Sequence, residues 1–170
     1  MRGSAEYVKQ HFNKPLRVAE IGVREGINAL EMLKGLNIEH LFLIDPFLPY
    51  QDTSQYREQE EQEDYYNKLI EVMTPYMNKI TILRQDSTCA ISFENNYFDY
   101  VYIDASHFEE DVYRDATLWY NKVNKSGVLA GHDYRAGHVG VESAIDKFVA
   151  ERSLKLHDKD YDWYIIKREK

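Results

Sequence analysis

Five short clusters in this 170-residue chain carry residue types that do chemistry. They are Glu20-Ile21-Gly22-Val23-Arg24-Glu25-Gly26, Asp45-Pro46, Gln85-Asp86-Ser87, Asp104-Ala105-Ser106-His107 and His132-Asp133-Tyr134. Gly22 and Gly26 permit a tight turn that brings backbone against a ligand with no Cβ in the way. The spacing is E-x-G-x-x-x-G, not the G-x-G-x-x-G of a dinucleotide site, and Glu25 stands where a pyrophosphate would rest, so a phosphate would be repelled. Asp45 could accept two hydrogen bonds from a ribose diol, each contributing about 1.5 to 3 kcal/mol. Asp86 and Ser87 are also types that cap a helix N-terminus. His107, with an ordinary pKa near neutrality, suits proton transfer but equally a structural role.

The hydrophobic period around these clusters switches regularly between strand and helix. Leu16 to Ile21, His40 to Ile44, Lys79 to Arg84, Phe98 to Ile103 and Gly127 to Gly131 read as strands, and each cluster follows one of them. Helical spacing covers residues 27–36, 57–73, about 109–122 and about 140–152, with a short helix at 88–93 and a loop at 46–56. Leu154 to His157, the turn Asp158-Lys159-Asp160 and Tyr161 to Lys167 read as a β-hairpin. The expectation is an α/β, Rossmann-like, doubly wound sheet of seven strands, mostly parallel, with an antiparallel C-terminal hairpin strand. Ligands of such a sheet collect beyond the carboxyl ends of its strands, where the five clusters lie.

Lys and Arg number 21 against 29 Asp and Glu, a net charge of −8, and 44% of residues are apolar, which fits one soluble globular domain. The acidic balance gives no footprint for a phosphate backbone, so no nucleic-acid partner is expected. Apolar runs such as Leu41 to Ile44 fall far short of the roughly 20 residues of a membrane helix, so no membrane partner is expected either. No secretory h-region is visible and Cys89 has no partner cysteine, which makes a cytoplasmic address the expectation. Residues 1–15 read as an N-terminal lead-in, Met1 to Ser4 being either native or part of a tag. Tyr134 and the segment Pro46 to Tyr56 offer aromatic surface for a sugar or phenolic ring, whereas Tyr65 and Tyr66 fall on an amphipathic helix and read as packing.

The blocks EIGVREG, LIDPF, RQDS, YVYIDASHFEEDVYRDATLWYNKVNKSGVLAGHDY and GVESAIDKF resemble, in family order over about residues 16–167, a class I S-adenosylmethionine-dependent methyltransferase. Within that class they are similar to the small-molecule O-methyltransferases allied to macrocin O-methyltransferase and the cephalosporin hydroxylase-like proteins. The resemblance implies that residues 16–170 form the methyltransferase domain. It also implies that S-adenosyl-L-methionine lies along Gly22 and Gly26, with Glu20 on its amino group, Asp45 on the ribose and Asp86 and Ser87 on the adenine. Asp104 would border both cofactor and reacting atoms. Several relatives hold a divalent cation after the fourth and fifth strands, and the matching residues are Asp104, His132 and Asp133; oxygen ligands suit Mg²⁺, while the histidine tilts the set towards Mn²⁺ or a transition metal.

Relatives commonly read Asp-Gly-Asp-His where this chain reads Asp104-Ala105-Ser106-His107, so proton removal from the acceptor would fall to His107. The implied reaction is methylation of a hydroxyl on a small molecule or saccharide. Little chain is left over for a lid, which implies an open site or one completed by a second copy in a homo-oligomer. Two rivals stay open: a non-catalytic S-adenosylmethionine-binding domain, motivated by Ser106, and an NAD-dependent oxidoreductase.

Overall fold

A computed structural model describes residues 1–51 and 56–168. Helix α1 (Gly3–His11) leads into β1 (Leu16–Ile21), α2 (Ile27–Gly35) and β2 (Ile38–Ile44). A two-residue pair, β3 (Tyr50–Gln51) and β4 (Tyr56–Arg57), precedes α3 (Gln59–Met73) and β5 (Ile80–Leu83). A 3-10 turn (Ser87–Ser92), β6 (Phe98–Ile103), α4 (Glu109–Lys122), β7 (Val123–Gly131), α5 (Val139–Arg152), β8 (Leu156–Lys159) and β9 (Asp162–Ile166) follow.

Seven strands form one sheet in the order β5-β2-β1-β6-β7-β9-β8. β1, β2, β5, β6 and β7 run parallel, and β9 pairs antiparallel with both β7 and β8. The chain leaves β1 towards β2 and β5 and then crosses to β6 on the other side, so the order reverses between β1 and β6. A crevice opens at such a switch point because the two connections depart in opposite directions.

Alternate residues of the central strands feed two cores. Val18, Leu41, Tyr100 and Tyr102 pack with Ala5, Val8, Met32 and Leu69 from α1, α2 and α3. Ala19, Val101, Ile103 and Leu129 pack with Ala116, Trp119, Ile145 and Phe148 from α4 and α5. All six residues of β6 are buried, as a strand covered on both faces requires.

Three sequence expectations shift. The strand expected over Gly127 to Gly131 begins four residues earlier, at Val123, and its first half pairs with β6 through an irregularity in register, with Ser126 at φ +63°. The hairpin turn falls at Asp160-Tyr161, not at 158–160: both residues take positive φ, as a two-residue turn with the twist of its strands demands, and Asp158 and Lys159 pair with Trp163 and Asp162. The 46–56 loop contains the β3–β4 pair, and Asp52 to Gln55 lie outside the described residues.

The N-terminal lead-in is woven into the fold. Ser4 is fully buried; its N–H and Oγ donate to Asp162 Oδ2 at 3.0 and 2.6 Å, and its Oγ also meets Tyr100 Oη at 2.8 Å. Tyr102 Oη donates to Asp162 Oδ1 at 2.8 Å. Asp162 is itself fully buried, so this network ties α1 to β6 and β9, and leaving any member unpaired would cost about 1 to 3 kcal/mol.

Candidate active site

β1 ends in a turn that only glycine can make. Gly22 has φ +81°, and a Cβ there would lie 2.0 Å from the Asp104 carbonyl oxygen. Gly26, at φ +80°, precedes α2, and a Cβ would meet Leu69 Cδ1 at 2.4 Å. Gly22 borders the crevice, whereas Gly26 serves the close approach of α3 and does not line it. Asp45, at the end of β2, holds the turn in shape. Its Oδ2 accepts from the N–H groups of Val23 and Arg24 at 2.9 and 3.1 Å, and its Oδ1 accepts from Phe47 N–H at 2.9 Å. A carboxylate has about four acceptor positions, so one remains for a ligand.

The crevice comprises two adjoining chambers of about 450 Å³ each. Asp45, Asp86, Ser87, His107, His132 and Asp133 border the first, Glu20 and Asn28 the second, and Arg2, Gly22, Arg24 and Asp104 both. Glu20 is buried, with Oε1 accepting from Asn28 Nδ2 at 2.8 Å and Oε2 without a hydrogen-bond partner among the described residues. Burial pushes its carboxyl up to about 8. An orphaned buried carboxylate oxygen is costly alone and becomes favourable beside a cation.

Asp86 caps the 3-10 turn: Oδ1 accepts from the Thr88 N–H at 2.8 Å and from the Thr88 hydroxyl, and these bonds hold the carboxyl below its usual range. Ser87 Oγ donates to Asp115 Oδ1 at 2.6 Å, and its carbonyl accepts from Trp119 Nε1 at 3.1 Å. Burial raises the Asp115 carboxyl against the Ser87 hydrogen bond and the Arg114 charge, and Arg114 lies 3.1 Å from it.

Beyond β6 and β7 the side chains pair with one another. Asp133, held at φ +64°, receives His107 Nε2 on Oδ2 at 2.8 Å and His132 Nδ1 on Oδ1 at 3.0 Å, with His138 Nε2 3.9 Å from Oδ1. Burial works to raise this carboxyl, but the histidine contacts overcome it and hold Asp133 well below the usual carboxylate range. The His107 ring stacks on His138 with centroids 4.0 Å apart. Asp104 accepts from Arg2 Nη2 at 3.3 Å, and burial raises its carboxyl. Ser106 turns to α4 instead, donating to Asp111 Oδ2 at 2.8 Å and accepting from Phe108 N–H at 3.2 Å.

Residues 19–134 match the family described as Methyltransferase domain. The chain belongs to that family. Among solved structures, the O-methyltransferase NovP is 16% identical, with TM-score 0.69 over 98% of this chain and 80% of its own. An rRNA methylase from Streptococcus thermophilus is 10% identical (TM-score 0.68, 98% and 95% covered), and a ribosomal protein L11 methylase from Lactobacillus delbrueckii subsp. bulgaricus is 17% identical (TM-score 0.64, 98% and 77% covered). These likenesses are of fold. No curated protein matches the chain. The protein is a class I S-adenosylmethionine-dependent methyltransferase, and no helix among the described residues is long and apolar enough to cross a membrane.

The methyltransferase crevice fits its cofactor's charge. Asp104 and Glu20, whose Oε2 has no hydrogen-bond partner among the described residues, give it an acidic lining of the sign that suits a positively charged ligand. Asp104, His132 and Asp133 each offer a donor atom within 4.8 Å of the others, and so do His107, Asp133 and His138, which suits a divalent cation in charge and reach.

One substrate candidate is corrected. Tyr134 is 6% exposed, its hydroxyl donates to Asp146 Oδ1 at 2.7 Å, and burial with that acid pushes its phenol up to about 12, so it is a core residue. Tyr65 and Tyr66 pack as expected, under Arg24 and Arg84. Tyr50 borders the crevice, whereas Tyr56 is largely exposed.

Sequence reasoning missed Arg2, Asn28, Asp115 and His138. Asn28 stands in the first turn of α2, where the chain doubles back over β1, a signal that the glycine turn could have supplied. Arg2, Asp115 and His138 reach the site through tertiary packing that no local spacing records.

Proposed function

We propose that the protein methylates a hydroxyl group on a small molecule or saccharide, with His107 as the general base. The observation that carries this reading is the His107–Asp133 pair beside Asp104 at the switch point. Because Asp133 stays ionised, it accepts from His107 Nε2 and orients the imidazole, as a carboxylate orients catalytic histidines. The stacked His138 ring limits rotation of the imidazole.

Bound S-adenosylmethionine supplies a methyl group on a positively charged sulfur, open to in-line displacement. Glu20 meets the ammonium, Asp45 the ribose, and Asp86 with Ser87 the adenine edge, while the Gly22 turn brings backbone close. His107 then removes the acceptor's proton as its oxygen attacks, and Asp133 stabilises the imidazolium that forms. A divalent cation held by Asp104, His132 and Asp133 would lower the pKa of the acceptor hydroxyl. A small neutral or polar acceptor is favoured over a nucleic acid by the net charge of −8 and by five carboxylates bordering the first chamber, Asp45, Asp86, Asp104, Asp115 and Asp133.

The test is production of S-adenosylhomocysteine with a panel of sugars and catechols, with and without Mg²⁺ or Mn²⁺. Turnover with one class, falling 100-fold or more in His107→Ala while cofactor affinity stays within about twofold, is expected. No turnover on any hydroxyl acceptor, or full activity in the variant, would remove this assignment.

A further inference from the structure

The second chamber holds a cation that the described chemistry does not use. Arg2 immediately precedes α1, and its guanidinium borders both chambers, contacting Asp104 at 3.3 Å. It is about two-thirds buried, and its position is set by the Ser4–Asp162 hydrogen bonds two residues further on. Burial works to lower its pKa, yet Tyr102, Asp104, Asp162 and Asp133 together raise it, and its charge is felt at Glu20.

The amino-acid end of S-adenosylmethionine carries a carboxylate on the same carbon as its ammonium. If Glu20 takes the ammonium, the carboxylate must lie within a few ångströms of it, in a chamber whose other side chains include Glu20, Glu25, Glu31 and Asp104. An unpaired anion there would be strongly disfavoured. Two guanidinium groups border the chamber. Arg24 is already engaged, donating to Tyr65 Oη at 3.1 Å, lying over its ring and pairing with Glu25 at 3.6 Å.

We propose that Arg2 is the receptor for the cofactor's carboxylate, exchanging its long contact with Asp104 for a charge-assisted pair when the cofactor arrives. The assignment rests on the S-adenosylmethionine reading of the crevice and extends it to a residue outside the glycine turn. Arg2 is a positioning residue in this role: by fixing the amino-acid end it sets where the reactive methyl lies.

Decarboxylated S-adenosylmethionine separates the two readings, since it keeps the adenosine, sulfonium and ammonium and lacks only the carboxylate. Calorimetric titration of the full chain should show wild type preferring S-adenosylmethionine over the decarboxylated form. In Arg2→Gln, affinity for S-adenosylmethionine should fall tenfold or more while affinity for the decarboxylated form holds or rises, and Arg2→Lys should keep part of the preference. Equal losses for both ligands in Arg2→Gln would mean that Arg2 acts only through the seating of α1, and an unchanged preference would place the receptor elsewhere; either overturns the assignment. Wild type that binds both forms equally overturns it too, leaving the donor reading intact. Wild type that binds neither would sink the donor reading itself, and this assignment with it.

Discussion

The two halves of the crevice are built from different material. On the side of β1, β2 and β5, carboxylates and hydroxyls are spent on the protein's own turns: Asp45 holds three backbone N–H groups, Asp86 caps a turn, and Ser87 is tied to Asp115. On the side of β6 and β7, ionisable side chains face one another, with Asp133 at the centre of three histidines. The first half presents a rigid frame with acceptor positions left open on Asp45 and on Glu20 Oε2; the second presents a charge arrangement whose members depend on each other. Recognition of a constant cofactor suits the frame, while proton transfer suits the coupled set.

If that division holds, substitutions in the second half should affect turnover most. Asp133→Asn keeps a residue tolerant of positive φ but removes the anion that orients the His107 imidazole, and turnover should fall about 1,000-fold or more with little change in cofactor affinity. Steady-state kinetics with paired cofactor titration checks this; a loss under tenfold would break the contrast. In the first half the sign is reversed. Asp45→Ala should weaken cofactor binding by roughly tenfold or more through the loosened Val23–Arg24 turn, and turnover at saturating cofactor should survive. Loss of turnover without loss of affinity would show that the frame takes part in the chemistry.

The smallest effect sharpens the comparison through pH. Glu20 titrates at about 8 when buried and empty, above its value of 4.5 in the unfolded chain, so the ligand-free protein is stabilised below pH 4.5 by this group and loses that contribution as pH rises from 4.5 through 8. Binding a cation requires the ionised form, so cofactor affinity should climb several-fold between pH 6.5 and 8. Glu20→Gln should flatten that rise and lower affinity throughout, while thermal melts of the free variant at pH 9 should exceed wild type. A pH-independent wild-type affinity would show that Glu20 faces no cation.

The legible parts of the sequence were those where local chemistry and topology coincide. Glycines and acids following β-prone runs marked every strand end of the crevice, because a parallel sheet delivers those ends to one edge whatever its helices do. Hidden features were those set by contact at a distance. Ser4 is small and polar and signals nothing until Asp162, 158 residues later, is buried against it. Asp115 reads as an ordinary helix residue until Ser87 meets it, and Tyr134 looked available because its partner Asp146 lies a helix away. Gly26 reads from sequence as a turn glycine facing a ligand, whereas the contact that bars a side chain there is Leu69 of α3.

The seating of the first helix has a practical corollary. Its opening turn is clamped by Asp162, and the residue just before it touches Asp104, so anything joined ahead of that turn stands at the mouth of the reaction chamber. An affinity handle fused at the amino end would be read out as an altered kinetic parameter, whereas one fused beyond β9 would not meet this clamp.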